Sequence, residues 1–146
     1  MDDNIRSFLN ARGIAVVGVS SSRIKFGTSV FRTLKKNKYS VYPVNPNLRT
    51  FDGDRCFGSL TDLRGKVDAA VVVVKPEKAL DVVEQAEKAG VLKLWFQQGA
   101  DFSLAASRAQ RSGISVVRDK CILMYAEPVT GIHRFHRFLA KLFKKY

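Results

Sequence analysis

The stretch Ile14-Ala15-Val16-Val17-Gly18-Val19-Ser20-Ser21-Ser22-Arg23-Ile24-Lys25-Phe26-Gly27 constrains this chain more than any other. A β-branched run without polar alternation is the pattern of a strand buried on both faces, as in a parallel sheet. It ends in a glycine, three serines and two cations, and a helical pattern follows. Where such a strand turns into a helix, free N–H groups and the positive helix end point outward. That geometry favours an anion, usually phosphate. Gly18, Val19, Ser20, Ser21, Ser22, Arg23, Lys25, Phe26 and Gly27 are therefore candidate cofactor-binding residues.

The rest of the chain repeats the pattern. Gly27 to Lys38 reads as a helix with Val30, Phe31 and Leu34 on one face. Ser40 to Val44 is a second strand, stopped by Asn45-Pro46-Asn47. Leu48 to Ser59 reads as loop around an Asp52-Gly53-Asp54 turn, and Leu60 to Arg64 as a short helix. Val67 to Val74 is the most apolar strand. Pro76 opens the next helix, which Gly90 closes. Leu92 to Phe96 is a fourth strand, Asp101 an N-cap for a helix ending at Gly113, and Ile114 to Val117 the fifth strand. Strands alternating with helices imply right-handed crossovers and a covered parallel sheet. The expectation is an α/β, Rossmann-like three-layer fold with five parallel strands.

At 146 residues the chain has the length of one domain, and its 46% hydrophobic content fits a globular protein. It contains no apolar run of about 18 residues and no secretory pattern at Met1-Asp2-Asp3-Asn4, so a cytoplasmic protein is expected. Cys56 and Cys121 lack metal-ligand spacing and read as reduced thiols. The net charge of +12 suits a polyphosphate cofactor, nucleic acid or an anionic membrane, and charge alone does not separate them.

Ligands of an open α/β sheet bind beyond the carboxyl ends of its strands. The loops there add Asn45, Pro46, Arg49, Lys75, Pro76, Gln97 and Gly99 to the candidates. A dinucleotide site would show G-x-G-x-x-G and an acid after the second strand. Here Gly18 stands alone and Asn45-Pro46 occupies the acid's place. The P-loop pattern G-x-x-x-x-G-K-[ST] is absent too, so simple dehydrogenase and NTPase readings are weakened.

Five motifs then occur in order: Val44-Asn45-Pro46; Gly53-x-x-Cys56-Phe57-x-Ser59-Leu60; Val67-Asp68-Ala69-Ala70; Trp95-Phe96-Gln97-x-Gly99; and Asp119-Lys120-Cys121-Ile122. Together, over Ile5 to Glu127, they resemble the small CoA-binding proteins similar to the N-terminal domain of the succinyl-CoA synthetase α subunit. The resemblance implies that coenzyme A, free or acylated, lays its diphosphate against Gly18 to Gly27. It also implies that the loops at Asn45, Lys75 and Gln97 to Gly99 line the rest of the cleft. The synthetase's phosphohistidine has no counterpart by position, and Glu127 lacks an accompanying nucleophile. Binding without chemistry is expected, with an NAD(P)-type enzyme as the alternative.

Residues 132–146 form an amphipathic pattern: Ile132, Phe135, Leu139, Leu142 and Phe143 on one side, Arg134, Arg137, Lys141 and Lys144 on the other. The division expected is a binding domain over 1–131 and a basic helix over 132–146 that packs on it or on a second copy as a homodimer. Nucleic-acid or anionic-membrane contact through this helix is the alternative. His133 and His136 have no third metal ligand beside them.

Overall fold

The computed structural model describes residues 2–21 and 25–126. Its elements are α1 (Asp3–Leu9), β1 (Ile14–Val17), α2 (Phe26–Lys36), β2 (Val41–Val44), β3 (Thr50–Phe51), β4 (Asp54–Arg55), β5 (Ala69–Val72), α3 (Pro76–Ala89), β6 (Lys93–Gln97), α4 (Ser103–Arg111) and β7 (Ser115–Lys120). Two 3₁₀ turns, Leu60–Leu63 and Ile122–Met124, complete the order. Five strands form one parallel sheet in the order β2-β1-β5-β6-β7. The fold is Rossmann-like.

The uninterrupted apolar runs are explained by the two cores. In β1, Ala15 and Val17 face α3 and α4, where Ala79, Val83, Ala86, Ala105 and Ala109 meet them. Ile14 and Val16 point the other way, toward Phe8 of α1 and Phe31 and Leu34 of α2. All four residues of β1 and of β5 are buried, because the sheet lies between helices on both faces. Trp95 is wholly buried, and its indole Nε1 donates to the Lys120 carbonyl at 2.9 Å, so its polar atom is satisfied.

Several sequence expectations change in extent. β1 stops at Val17 rather than Val19, α2 spans Phe26–Lys36, and β5 covers Ala69–Val72 within the apolar run 67–74. β6 reaches Gln97, and β7 runs to Lys120 rather than Val117. Asp101 accepts from the Ser103 amide at 2.9 Å, just ahead of α4. The segment expected as loop holds the β3–β4 hairpin, with Asp52 and Gly53 at positive φ in its turn. Arg32 of α2 donates to Asp52 at 2.7 Å, Lys35 pairs with Asp54, and the Phe31 and Phe51 rings meet edge-on at 5.4 Å. Side-chain ties, not its two-residue strands, hold this hairpin to the domain.

The edge strand β2 is blunted. Pro43 carries no N–H, and Phe57 covers the strand's carboxyl half by donating to Pro43 O and accepting from Asn45 N. Among the described residues, no helix is long and apolar enough to cross a membrane. The basic helix expected over 132–146, Glu127 and both histidines lie outside the described residues.

Candidate functional site

The chain leaves β1 toward the edge strand β2 and returns on β1's other side as β5, so the topological switch lies between β1 and β5. A cleft of about 370 Å³ opens there, at the carboxyl ends of the strands. Gly18 borders it after β1, Val73 and Val74 after β5, and Gln97 to Ala100 after β6. The starts of three helices complete the rim: Lys25 to Gly27 for α2, Lys75 and Pro76 for α3, and Phe102 for α4. None of these three caps supplies a side-chain hydrogen bond to its own helix. Three positive dipole ends and two lysines therefore face one cleft, and no acid is among its described lining residues.

The glycines belong to the protein's own packing. A Cβ on Gly18 would lie 2.2 Å from the Val73 carbonyl oxygen, and its φ of +121° disfavours any side chain. A Cβ on Gly27 would lie 2.3 Å from the Gly18 carbonyl oxygen. The two glycines thus seat the start of α2 against the switch point. Buried Thr28 fixes the same turn, donating to Ser20 O at 2.9 Å while Ser20 N donates back to its hydroxyl at 3.2 Å.

Of the candidates read from sequence, Gly18, Lys25, Phe26, Gly27, Lys75, Pro76, Gln97 and Gly99 come together around the cleft. Val19 is buried instead, and Ser20 braces the turn through Thr28. Ser21 is exposed and does not border the cleft, and Ser22 and Arg23 lie outside the described residues. Asn45 turns inward: its Nδ2 donates to Val19 O at 2.6 Å and its Oδ1 accepts from Asn47 N at 2.7 Å. It supports the β1–α2 turn rather than walling the cleft, and Pro46 and Arg49 do not border the cleft either.

Residues 12–127 match the family described as the CoA binding domain. The chain belongs to that family. The five motifs read from sequence pointed to it, and the matched span is close to theirs. The α subunit of an ADP-forming acetate–CoA ligase II from Pyrococcus furiosus is 42% identical over 72 residues, which is 49% of this chain and 16% of that protein. An uncharacterised Bacillus subtilis protein is 28% identical over 112 residues, covering 77% of this chain and 83% of that one. Among solved structures, a hypothetical protein from Pyrococcus horikoshii OT3 superposes with a TM-score of 0.80 at 32% identity, over 90% of this chain and 93% of that one. The chain spans only 16–18% of the length of the first ligase relatives.

In this CoA-binding domain, four of the described lining residues fell outside the candidate segments read from sequence: Val73, Val74, Ala100 and Phe102. The first two carried a usable signal. The apolar run 67–74 is longer than β5, and its surplus forms the lip of the cleft. Gln97 adds a second surprise, since its buried amide oxygen accepts from Ile122 N at 3.2 Å. It anchors the turn after β7 as well as bordering the cleft. Asp101 sits beside the rim, and the Ser103 hydroxyl and amide hold its carboxyl below the usual range. Among the described residues, no group of three His, Cys, Asp or Glu side chains is placed to hold a metal.

Proposed function

We propose that this domain binds coenzyme A, free or acylated, in the switch-point cleft, and performs no chemistry of its own. The observation that carries this reading is the convergence of three helix starts, those of α2 and α3 without a side-chain cap, with Lys25 and Lys75 on a rim whose described residues include no acid. A diphosphate would lie against the start of α2, where Lys25 and backbone amides supply charge-assisted hydrogen bonds. The relatives named as CoA ligases support the ligand class, although they are several times longer than this chain. The described lining residues include no carboxylate, imidazole, thiol or hydroxyl to act as nucleophile or base. On this reading the domain is a cytoplasmic carrier or sensor of CoA.

Calorimetry on the full chain tests it. CoA should bind at least tenfold more tightly than NAD, a difference of about 1.4 kcal/mol. NAD binding of equal or greater strength would overturn the reading.

A further inference from the structure

A second cleft, of about 520 Å³, opens at the opposite end of the sheet. It is bordered by Tyr42 and Pro43 of β2, Asp54 and Arg55 of the hairpin, Phe57, and Lys66 just ahead of β5. Its size lies within the usual range for small-molecule sites. The buried Phe57 ring organises its charge: the Arg55 guanidinium sits 4.6 Å from the ring centroid and Lys66 Nζ 5.8 Å from it. Two cations are therefore held within about 10 Å of each other, and neither has a carboxylate partner among the described residues. Among the described lining residues the one acid, Asp54, is taken by Lys35.

The surroundings are built rather than incidental. Gly13 allows the Lys66 backbone to approach, since a Cβ there would lie 2.3 Å from Lys66 O and 3.3 Å from the Tyr42 ring. The absent side chain at residue 13 thus brings the Tyr42 ring and the Lys66 backbone to one place. The half-buried Tyr42 ring meets Phe57 edge-on at 6.2 Å, and its hydroxyl has no hydrogen-bond partner among the described residues. Two neighbouring cations without a carboxylate partner among the described residues call for an anion, and an adjacent ring whose hydroxyl has no partner among them suits a flat, polar group. We infer that this cleft is a second ligand site, distinct from the switch-point cleft, for a nucleoside phosphate. The phosphate lies against Arg55 and Lys66 and the base against Tyr42.

Amide-resolved NMR titration of the isotope-labelled full chain with AMP tests the assignment. The Tyr42, Arg55 and Lys66 amides should shift, while those of Gly27 and Gly99 stay in place. Arg55→Ala and Lys66→Ala, both at exposed positions, should each weaken AMP at least tenfold, Tyr42→Leu should weaken it severalfold, and Lys25→Ala should leave it unchanged. AMP shifts confined to Gly27 and Gly99, or unaltered affinity in the Arg55 and Lys66 variants, would overturn the site. Inorganic phosphate binding as tightly as AMP would overturn the ring-bearing ligand. So would an oligonucleotide that binds through Arg55 and Lys66 where AMP does not. CoA titrated in the same way reports on Gly27 and Gly99, so the two clefts stand or fall separately.

Discussion

The two ends of the sheet carry clefts built by different means. At the carboxyl end the rim consists of helix starts and glycine-seated turns, and backbone dipoles add to the charge of Lys25 and Lys75. At the amino end the charge comes from long side chains steered by one aromatic ring and by a hairpin tied through ion pairs. A backbone-built site is fixed by packing and fails as a unit when its seating is disturbed. A side-chain-built site is adjustable, and salt and pH reach it directly.

The largest expected effect breaks the seating at the carboxyl end. Gly18→Ala would drive a Cβ to 2.2 Å from Val73 O at a φ of +121°. Overpacking costs about 1–3 kcal/mol and a left-handed side chain about 1–2 kcal/mol more, so roughly 2–5 kcal/mol of stability should be lost. Gly53→Ala is the control: its φ is also positive, at +84°, but nothing lies within 4 Å of the added atom. Urea unfolding of both variants makes the comparison. If Gly18→Ala were no costlier than Gly53→Ala, contact with the Val73 backbone would not be what requires the glycine.

The same contrast explains what the sequence disclosed. β1, β5 and β6 were legible because burial on both faces writes itself as an apolar run, and α3 because Pro76 and Gly90 mark its ends. α1 was not: seven residues with only Ile5 and Phe8 buried give too little periodicity to detect. The hairpin's turn was visible in Asp52-Gly53-Asp54, but strands of two residues leave no alternation to read. Around the switch point, the glycines and lysines could be picked out because their chemistry is local. Asn45 looked like a wall of the cleft because sequence gives its place after β2 but not the direction of its side chain. Its bond to Val19 O joins residues 26 apart in the chain, and no local pattern encodes that.

A smaller effect separates side chain from backbone within the carboxyl-end cleft. Lys25 is exposed and gives its helix no side-chain cap, so Lys25→Ala should leave the unfolding midpoint in urea nearly unchanged. CoA affinity should fall by about 1.5–3 kcal/mol, the range for a hydrogen bond to a charged group. Dephospho-CoA should weaken by the same amount in this variant, because the missing 3′-phosphate is a separate contact. Unchanged CoA affinity in calorimetry would leave phosphate binding to the helix starts and Lys75, making the site still more a matter of backbone.

The smallest effect lies at the other end, in the hairpin that carries Arg55. Hydrogen bonding from the Arg32 guanidinium holds the Asp52 carboxyl below its ordinary value of 3.8. A carboxylate whose pKa is depressed on folding contributes stability above its unfolded pKa and loses it as pH falls through the folded value. The tie between hairpin and α2 should therefore be intact at pH 7 and weaken only below about pH 4. Both partners are partly solvent-exposed, so the effect is local and well below that of Lys25→Ala. Hydrogen exchange of the Thr50 to Arg55 amides should accelerate, relative to the β1 amides, in Asp52→Asn at pH 7. As pH falls through the folded pKa of Asp52, which lies below 3.8, the variant and the parent should converge as Asp52 in the parent takes up its proton. A difference that persisted undiminished to the lowest pH at which the domain stays folded would mean that Asp52 acts through the shape of its turn, not its charge, and the amino end would then be less side-chain-built than its ion pairs suggest.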